Sequence, residues 1–427
     1  MIADNLDDLY RNCNPDLPLP ADDPRYVELS EVRGTKVIAD LISRRIGRSD
    51  QGDFHQQLLT GHRGSGKSTE LFRLKKTLEE KGFIVVYIDT EEQLDISDIN
   101  YLDVLLCIAK ELQVQLSEQD IELNDELLNS LTSWFADQVI EKTDSKEFLV
   151  GLKTEAGAKA TVPFFTLLAK LTAEIKAGSS RKEQTRLKLE KEKAVFIDRL
   201  NILIFDARNK IQTSGKKDLV LIVDGLEKMP YRLMDDKQST HSHLFIHNAE
   251  QLKAPECHII YTVPISLAYN ANLGSDFSNT EVIPMVKIND AGIIKLREVV
   301  SKRVNIQKLF DQPESLDQLI KLSGGVVRDL MHLLRACADT DNTKVSESEI
   351  QYAQNELVLA YDRLVRNDEL ENLRFVAKEK RVTGDESYSR LLNLRLVLEY
   401  QNGKRWAGIH PAVLRIAWVN ERLKNDE

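Results

Sequence analysis

Cysteine is scarce in this chain. Cys13, Cys107, Cys257 and Cys337 lie far apart, without CxxC spacing. No disulfide framework or zinc site is therefore legible, and reduced thiols in a cytoplasm are expected. Long apolar runs are missing too. The most apolar stretch, residues 162–171, carries Lys170 and falls well short of the roughly 20 apolar residues that a membrane span needs. The acidic first eight residues have no apolar centre and do not read as a secretory signal. Basic excess is also absent: 58 Lys and Arg stand against 68 Asp and Glu, a net charge of −10. That balance argues against a chain coated in nucleic acid but leaves room for a local basic face. No internal repeat or low-complexity tract occurs.

What remains is an ordinary globular composition over 427 residues, too long for one core and suited to two or three domains. Residues 1–34, rich in Asp, Asn and Pro at first, read as an extended arm over a domain surface. A helix is expected over 35–46 and a strand over 57–60. A helix over 67–81 and a strand over 83–89 follow, the latter continuous in apolar residues and so buried in a parallel sheet. Runs at 219–223, 258–263 and 281–286 fit the same sheet. A crossover helix over 99–112, with Ser97 as its N-cap, leaves about 115–215 as a helical insertion inside a core spanning 35–290. Within it, 187–211 reads as a helix; Pro163 divides 151–178 into two short helices or a helix and a hairpin. Residues 291–345 read as a helical lid. Residues 346–427 read as a winged helix, with a helix over 387–394, strands over 395–400 and 405–409, and a tight Asn402-Gly403 turn. The fold class expected is α/β: a P-loop parallel sheet with a helical insertion, then a helical lid and a winged-helix domain.

The chemistry starts at Gly61-His62-Arg63-Gly64-Ser65-Gly66-Lys67-Ser68-Thr69, which contains GxxxxGK[ST] intact. Glycines let backbone N–H groups turn around phosphates, Lys67 neutralises phosphate charge, and the Ser68 hydroxyl ligates magnesium. The following helix aims its positive end at the same place. Downstream, the run 217–223 ends in Asp224-Gly225-Leu226-Glu227. A strand ending in an acid sets Asp224 beside the phosphate loop to hold magnesium. Glu227 either polarises the attacking water or is a solvated acid in a loop.

At this point the sequence resembles the AAA+/STAND group of P-loop ATPases, in particular their origin-recognition-like and signalling branches. Asp224-Gly225-Leu226-Glu227 resembles their Walker B motif. Thr262, in Ile259-Ile260-Tyr261-Thr262-Val263-Pro264, is similar to the polar sensor residue ending the next strand, although a strand-end threonine also serves structure alone. Gly324-Gly325-Val326-Val327-Arg328 resembles the start of the lid helix, where the resemblance implies an arginine that reaches phosphate. The alternative for Arg328 is a helix-start arginine paired to an acid. Val32-Arg33-Gly34 is similar to a short turn near adenine. Gly408-Ile409-His410-Pro411 resembles the motif whose histidine touches the β-phosphate of ADP, with Pro411 in place of the usual aspartate. The alternative for His410 is a local hydrogen bond at a helix start, where Pro411 is a natural first residue. No arginine finger is singled out, Arg232 being one of several candidates.

The resemblance implies ATP or ADP with Mg2+ as cofactors and an ATPase whose turnover is slow. The leading reading is a nucleotide-controlled switch acting on a separate effector or sensor protein, with homo-oligomers open and bacterial antiviral defence implied by analogy. The competing reading is a DNA-handling ATPase like origin-recognition or transposition-regulator proteins. It would use Arg390, Arg395, Lys404 and Arg405 in the wing and Lys176, Arg181, Lys182, Arg186 and Lys188 in the insertion. Glu174, Glu183, Glu190 and Glu192 interleave with the latter set, and such mixed runs usually coat a solvated helix. A small-molecule kinase is a third reading, weakened by the investment in lid and wing. The 162–171 run, with Phe164, Phe165, Leu167 and Leu168, reads as core or as a docking stripe.

Overall fold

The computed structural model describes residues 2–50, 52–138, 161–177, 180–234, 238–270, 273, 277–340 and 342–424. Five strands form one parallel sheet: β1 (Gln56–Gly61), β2 (Ile84–Asp89), β3 (Leu219–Asp224), β4 (His258–Val263) and β5 (Asn279–Ile283), in the order β2-β3-β4-β1-β5. This is the P-loop α/β arrangement expected. Because all strands run the same way, Gly61, Asp224 and Thr262 emerge at one rim, where ligands of such sheets bind.

Alternate residues of each strand feed opposite faces. Leu59, Val85, Val220, Ile222 and Ile260 pack under the helices Ile38–Ile46 and Lys67–Glu80. Leu58, Val86, Leu221 and Ile259 pack under the crossover helix Tyr101–Ser117. That face continues into the helices Asp125–Gln138, Thr161–Lys176, Ser180–Lys191 and Lys193–Thr213, which share its core. Residues 115–215 therefore thicken one side of the sheet. Phe164, Leu167 and Leu168 are buried there, as the core reading of 162–171 requires; the side chain of Phe165 lies outside the described residues. Lys182 and Arg186 bind across to Asp98, at 2.7 and 3.1 Å.

Several local expectations are corrected. The crossover helix starts at Tyr101, because Asn100 and Asp103 form a reciprocal capping box that satisfies two end donors where Ser97 would satisfy one. The first core helix begins at Ile38. No break occurs at Pro163: the helix starts at Thr161, so the proline sits in the first turn, where its missing N–H costs nothing. The 151–160 part of that reading lies outside the described residues. β5 ends at Ile283, short of the expected 286.

The N-terminal residues do not form a simple extended arm. Leu6–Asn12 is a helix capped by Asn5, and Leu6, Leu9, Val27 and Leu29 share a second core with Val299, Leu330 and Leu334. The helices Asp290–Ser301, Leu316–Leu322, Val327–Ala338 and Glu347–Asp362 build that core. It closes with the helix Ser389–Asn393 and the antiparallel hairpin β6 (Val397–Asn402) and β7 (Lys404–Ile409), which turns at Gly403. The N–H of Met285, just past β5, donates to Glu399 of β6 at 2.9 Å and ties the hairpin to the sheet.

Candidate functional site

β1 carries the chain to the rim, where residues 61–66 wrap into the helix Lys67–Glu80. Gly64 and Gly66 have φ of +87° and +94°, a region that side chains with a Cβ rarely adopt. A Cβ on Gly64 would also lie 2.5 Å from the Cβ of Arg328. Glycine there is what lets the helix Val327–Ala338 rest on the loop. Lys67 Nζ donates to the carbonyls of Gly61 and His62, at 3.0 and 3.2 Å, and faces Glu227 Oε1 at 3.1 Å.

Asp224 ends β3. Its Oδ2 accepts from the Tyr87 hydroxyl at 2.6 Å, its Oδ1 from the Gly225 N–H at 2.9 Å, and the Ser68 hydroxyl also bonds to it. Burial pushes this carboxyl up, and the neighbouring charge of Glu227 adds to the push. Glu227 goes the other way. Burial raises it, but the Lys67 ammonium and the Thr262 hydroxyl outweigh burial and hold it below the usual range. Thr262 is buried, and its Oγ1 accepts from the Gly225 N–H at 2.8 Å. It braces the turn that carries Glu227.

Most of these groups line one cavity. Residues 63–70, Asp224, Glu227 and Arg328 are among its lining, as are the apolar side chains of Leu19, Val27, Leu29, Val299, Val327 and Met331. Four buried polar atoms around it lack a hydrogen-bond partner among the described residues: Ser65 Oγ, Arg33 Nε, Arg328 Nε and Glu227 Oε2. Buried polar atoms are rarely left so. Three belong to donor groups grouped beside Lys67, which fits a polyphosphate. The oxygen pair Ser68 and Asp224 fits a hard divalent cation, and the apolar lining residues fit a base.

Gly64, Ser65, Gly66, Lys67, Ser68, Thr69, Arg63, Asp224, Glu227 and Arg328 are thus brought together. Gly61, His62, Thr262 and His410 do not line this cavity. The His62 ring turns away from it. Its Nε2 accepts from the Glu399 N–H at 2.8 Å, so Nδ1 keeps the proton and donates to the Leu392 carbonyl at 3.0 Å. Burial pushes this imidazole down to about 3. His410 caps the helix Pro411–Leu414: Nδ1 accepts from the Ala412 N–H at 3.1 Å, while Nε2 faces Asp329 Oδ2 at 3.3 Å. Its ring stacks on Tyr361 at 4.3 Å. This is the local helix-start bond, and no part of it reaches the cavity.

Other residues fill roles that sequence reasoning missed. Arg33 is buried and donates to the Ser65 carbonyl, bracing the loop rather than a base; the Val32-Arg33-Gly34 match was its one signal. Asp16 pairs with Arg328 at 3.2 Å, and the Leu19 N–H donates to Thr69 Oγ1 at 3.1 Å. The N-terminal segment therefore roofs the cavity, and nothing local in its sequence announces that. Tyr87 carried no signal either, since a tyrosine in an apolar strand reads as core.

The cations named for DNA are mostly engaged within the chain. Arg390 pairs with Glu369, Arg395 with Asp329 at 3.4 Å, and Arg405 with Glu399 at 3.4 Å. Lys176 donates to the Glu92 carbonyl. Lys404 is exposed on the hairpin, and the side chain of Arg181 lies outside the described residues. Among the described residues no helix is long and apolar enough to cross a membrane.

No family model matches the chain, and no curated protein matches it. Among solved structures it is similar to Cdc6p from Pyrobaculum aerophilum, with a TM-score of 0.41 and 14% identity, covering 97% of this chain and 98% of that one. It is also similar to the Walker-type ATPase PABY2304 of Pyrococcus abyssi, with a TM-score of 0.39 and 14% identity, covering 94% and 99%. The reading of the site rests on its geometry.

Proposed function

We propose that the chain binds ATP with magnesium in the cavity above β1 and β3, and uses the nucleotide as a switch for a separate cytoplasmic protein partner. Lys67, Ser65 and Arg328 hold the phosphates, and Ser68 with Asp224 holds the metal. Magnesium supplies a hard cation that gathers phosphate charge. Glu227, kept ionised by Lys67, orients a water for slow hydrolysis, and Thr262 fixes the turn on which it sits. The chain is read as a signalling-type AAA+/STAND ATPase whose β6–β7 hairpin is the wing of a winged helix. A place in antiviral defence follows from that resemblance alone.

One observation carries the switch reading: the phosphate loop is gripped from outside the sheet. His62 is held by Leu392 and Glu399, and Arg395 reaches the Arg63 carbonyl at 3.4 Å. A nucleotide that favours one loop geometry therefore also favours one position of the C-terminal region, which is the differential affinity a switch needs. The DNA-handling reading has less support, because most of its cations are spent on internal acids.

Hydrogen exchange over residues 392–410 tests this. Replacing ADP by a non-hydrolysable ATP analogue, with magnesium, is expected to raise exchange there by roughly tenfold. His62→Ala is expected to show the raised exchange with ADP already. Exchange that ignores the nucleotide would sink the switch while leaving nucleotide binding to be judged separately.

A further inference from the structure

A second cavity, of about 570 Å³, lies where the end of β1 and the turn after β3 meet the C-terminal region. Five cations line it: Arg63, Lys228, Arg232, Arg366 and Arg390. Among the described residues the one acid on its wall is Glu227, which already faces Lys67. Lys228 is paired with Glu91 and Arg390 with Glu369. Arg63, Arg232 and Arg366 are exposed, and among the described residues their guanidinium groups have no carboxylate partner. Such a grouping stands out in a chain of net charge −10.

Like charges gathered round a concavity repel one another until an anion joins them. A guanidinium fork matches phosphate oxygens two at a time and stays charged at every working pH. The floor is different in kind: Met229, Pro230, Ile265 and Leu394 are apolar, and Tyr231 adds a ring. Cations at the rim over an apolar floor suit an organic body that carries phosphate. The volume falls inside the range of about 300–1,000 Å³ typical of small-molecule sites, and a concave pocket of that size suits one compact ligand better than a continuous nucleic-acid backbone.

We propose that this cavity binds a second ligand, a phosphorylated small molecule of nucleotide size, through Arg63, Arg232 and Arg366. Arg63, Glu227 and Lys228 line both cavities. A ligand here touches the phosphate loop and the Glu227 turn directly, which makes the site a place where a signal meets the nucleotide.

The test is calorimetric titration of the full chain with inorganic pyrophosphate, the first site being filled with ADP and magnesium. A parallel titration uses Lys67→Ala without nucleotide. One saturable site is expected in both. In the double variant Arg232→Glu, Arg366→Glu, pyrophosphate binding is expected to weaken by roughly tenfold or more while ADP affinity stays unchanged. Absence of saturable binding in the wild type, or undiminished binding in the double variant, would overturn the proposal. So would displacement of pyrophosphate by a duplex DNA fragment at lower concentration, which would assign the cations to a nucleic-acid backbone. Failure of ADP to bind would count against the first site only, since the Lys67→Ala titration still reports on this one.

Discussion

Two buried clusters of charge flank the phosphate loop. On the cavity side, Lys67 faces Glu227 at 3.1 Å, with Asp224 beside Ser68. On the side of the C-terminal region, Asp329 meets Arg395 at 3.4 Å and His410 at 3.3 Å, and accepts from the Tyr361 hydroxyl at 2.6 Å. Both clusters pair acids with bases, and both are almost free of solvent. They differ in what their unpartnered atoms face. Asp329 has partners on both oxygens; burial works against its charge, yet His410 and Arg395 hold it at about 2. Among the described residues His410 Nε2 in this cluster and Glu227 Oε2 and Ser65 Oγ in the first all lack a hydrogen-bond partner, but only Glu227 and Ser65 line the cavity. Burial and charge alone do not mark a ligand site; unused hydrogen-bonding capacity facing a cavity does.

That contrast can be broken most directly at Lys67. Lys67→Ala removes the buried ammonium of the phosphate loop. It is expected to weaken ATP binding by about 100-fold or more, the equivalent of roughly 3 kcal/mol. Equilibrium binding of ATP with magnesium measures it, and affinity retained within a few-fold would undo the site assignment.

Asp329→Asn should do the reverse. It leaves the half-buried Arg395 beside a neutral amide, at a cost of about 3 kcal/mol, while ATP affinity falls by less than tenfold. The acid side of the stability curve sharpens this. A carboxyl held at about 2 rather than 3.8 contributes fully above its unfolded value and loses that contribution as pH falls toward the folded one. The gap between wild type and variant in denaturant unfolding should therefore close between about pH 4 and 2. A gap that persists at the acid end would show that Asp329 acts by packing.

The smallest effect concerns His62, the residue that joins the two sides. Its folded value of about 3 lies below the ordinary 6.5, so the unfolded chain takes up the proton first. Stability then falls as pH drops below 6.5, by about 1.4 kcal/mol per pH unit from this residue. His62→Gln keeps a donor and an acceptor without the titration. Unfolding free energy measured from about pH 7 to 5 should slope less steeply in the variant, by up to one proton. Equal slopes would mean that His62 is not held neutral by the hairpin.

Much of the sheet was legible because its signals are local. β2, β3 and β4 are short continuous runs rich in Val and Ile; β3 ends in Asp224 and β4 carries Thr262 one residue before its end. The phosphate loop was legible for the same reason, its spacing reflecting one turn of backbone around one ligand type. Helix ends were less so. Ser97 and Asn100 are both good caps, and only the reciprocal bond from Asp103 distinguishes them. The N-terminal helix was missed because seven residues form no stable helix by themselves; burial of Leu6 and Leu9 against the second core holds it.

The amino-acid sequence by itself determined the parts that depend on neighbouring residues: the glycine loop with Lys67 and Ser68, the strand ending in Asp224, and the alternation that buries both faces of the sheet. Tertiary structure alone decided which distant residues complete them. It set Arg33 and Arg328 against the loop, roofed the cavity with residues 12–19, aimed His62 at the hairpin, and kept His410 with Asp329. The physical reason is the range of the forces. Backbone preference and hydrophobic period act within a few residues, whereas a buried charge takes its partner from whichever element packing brings beside it.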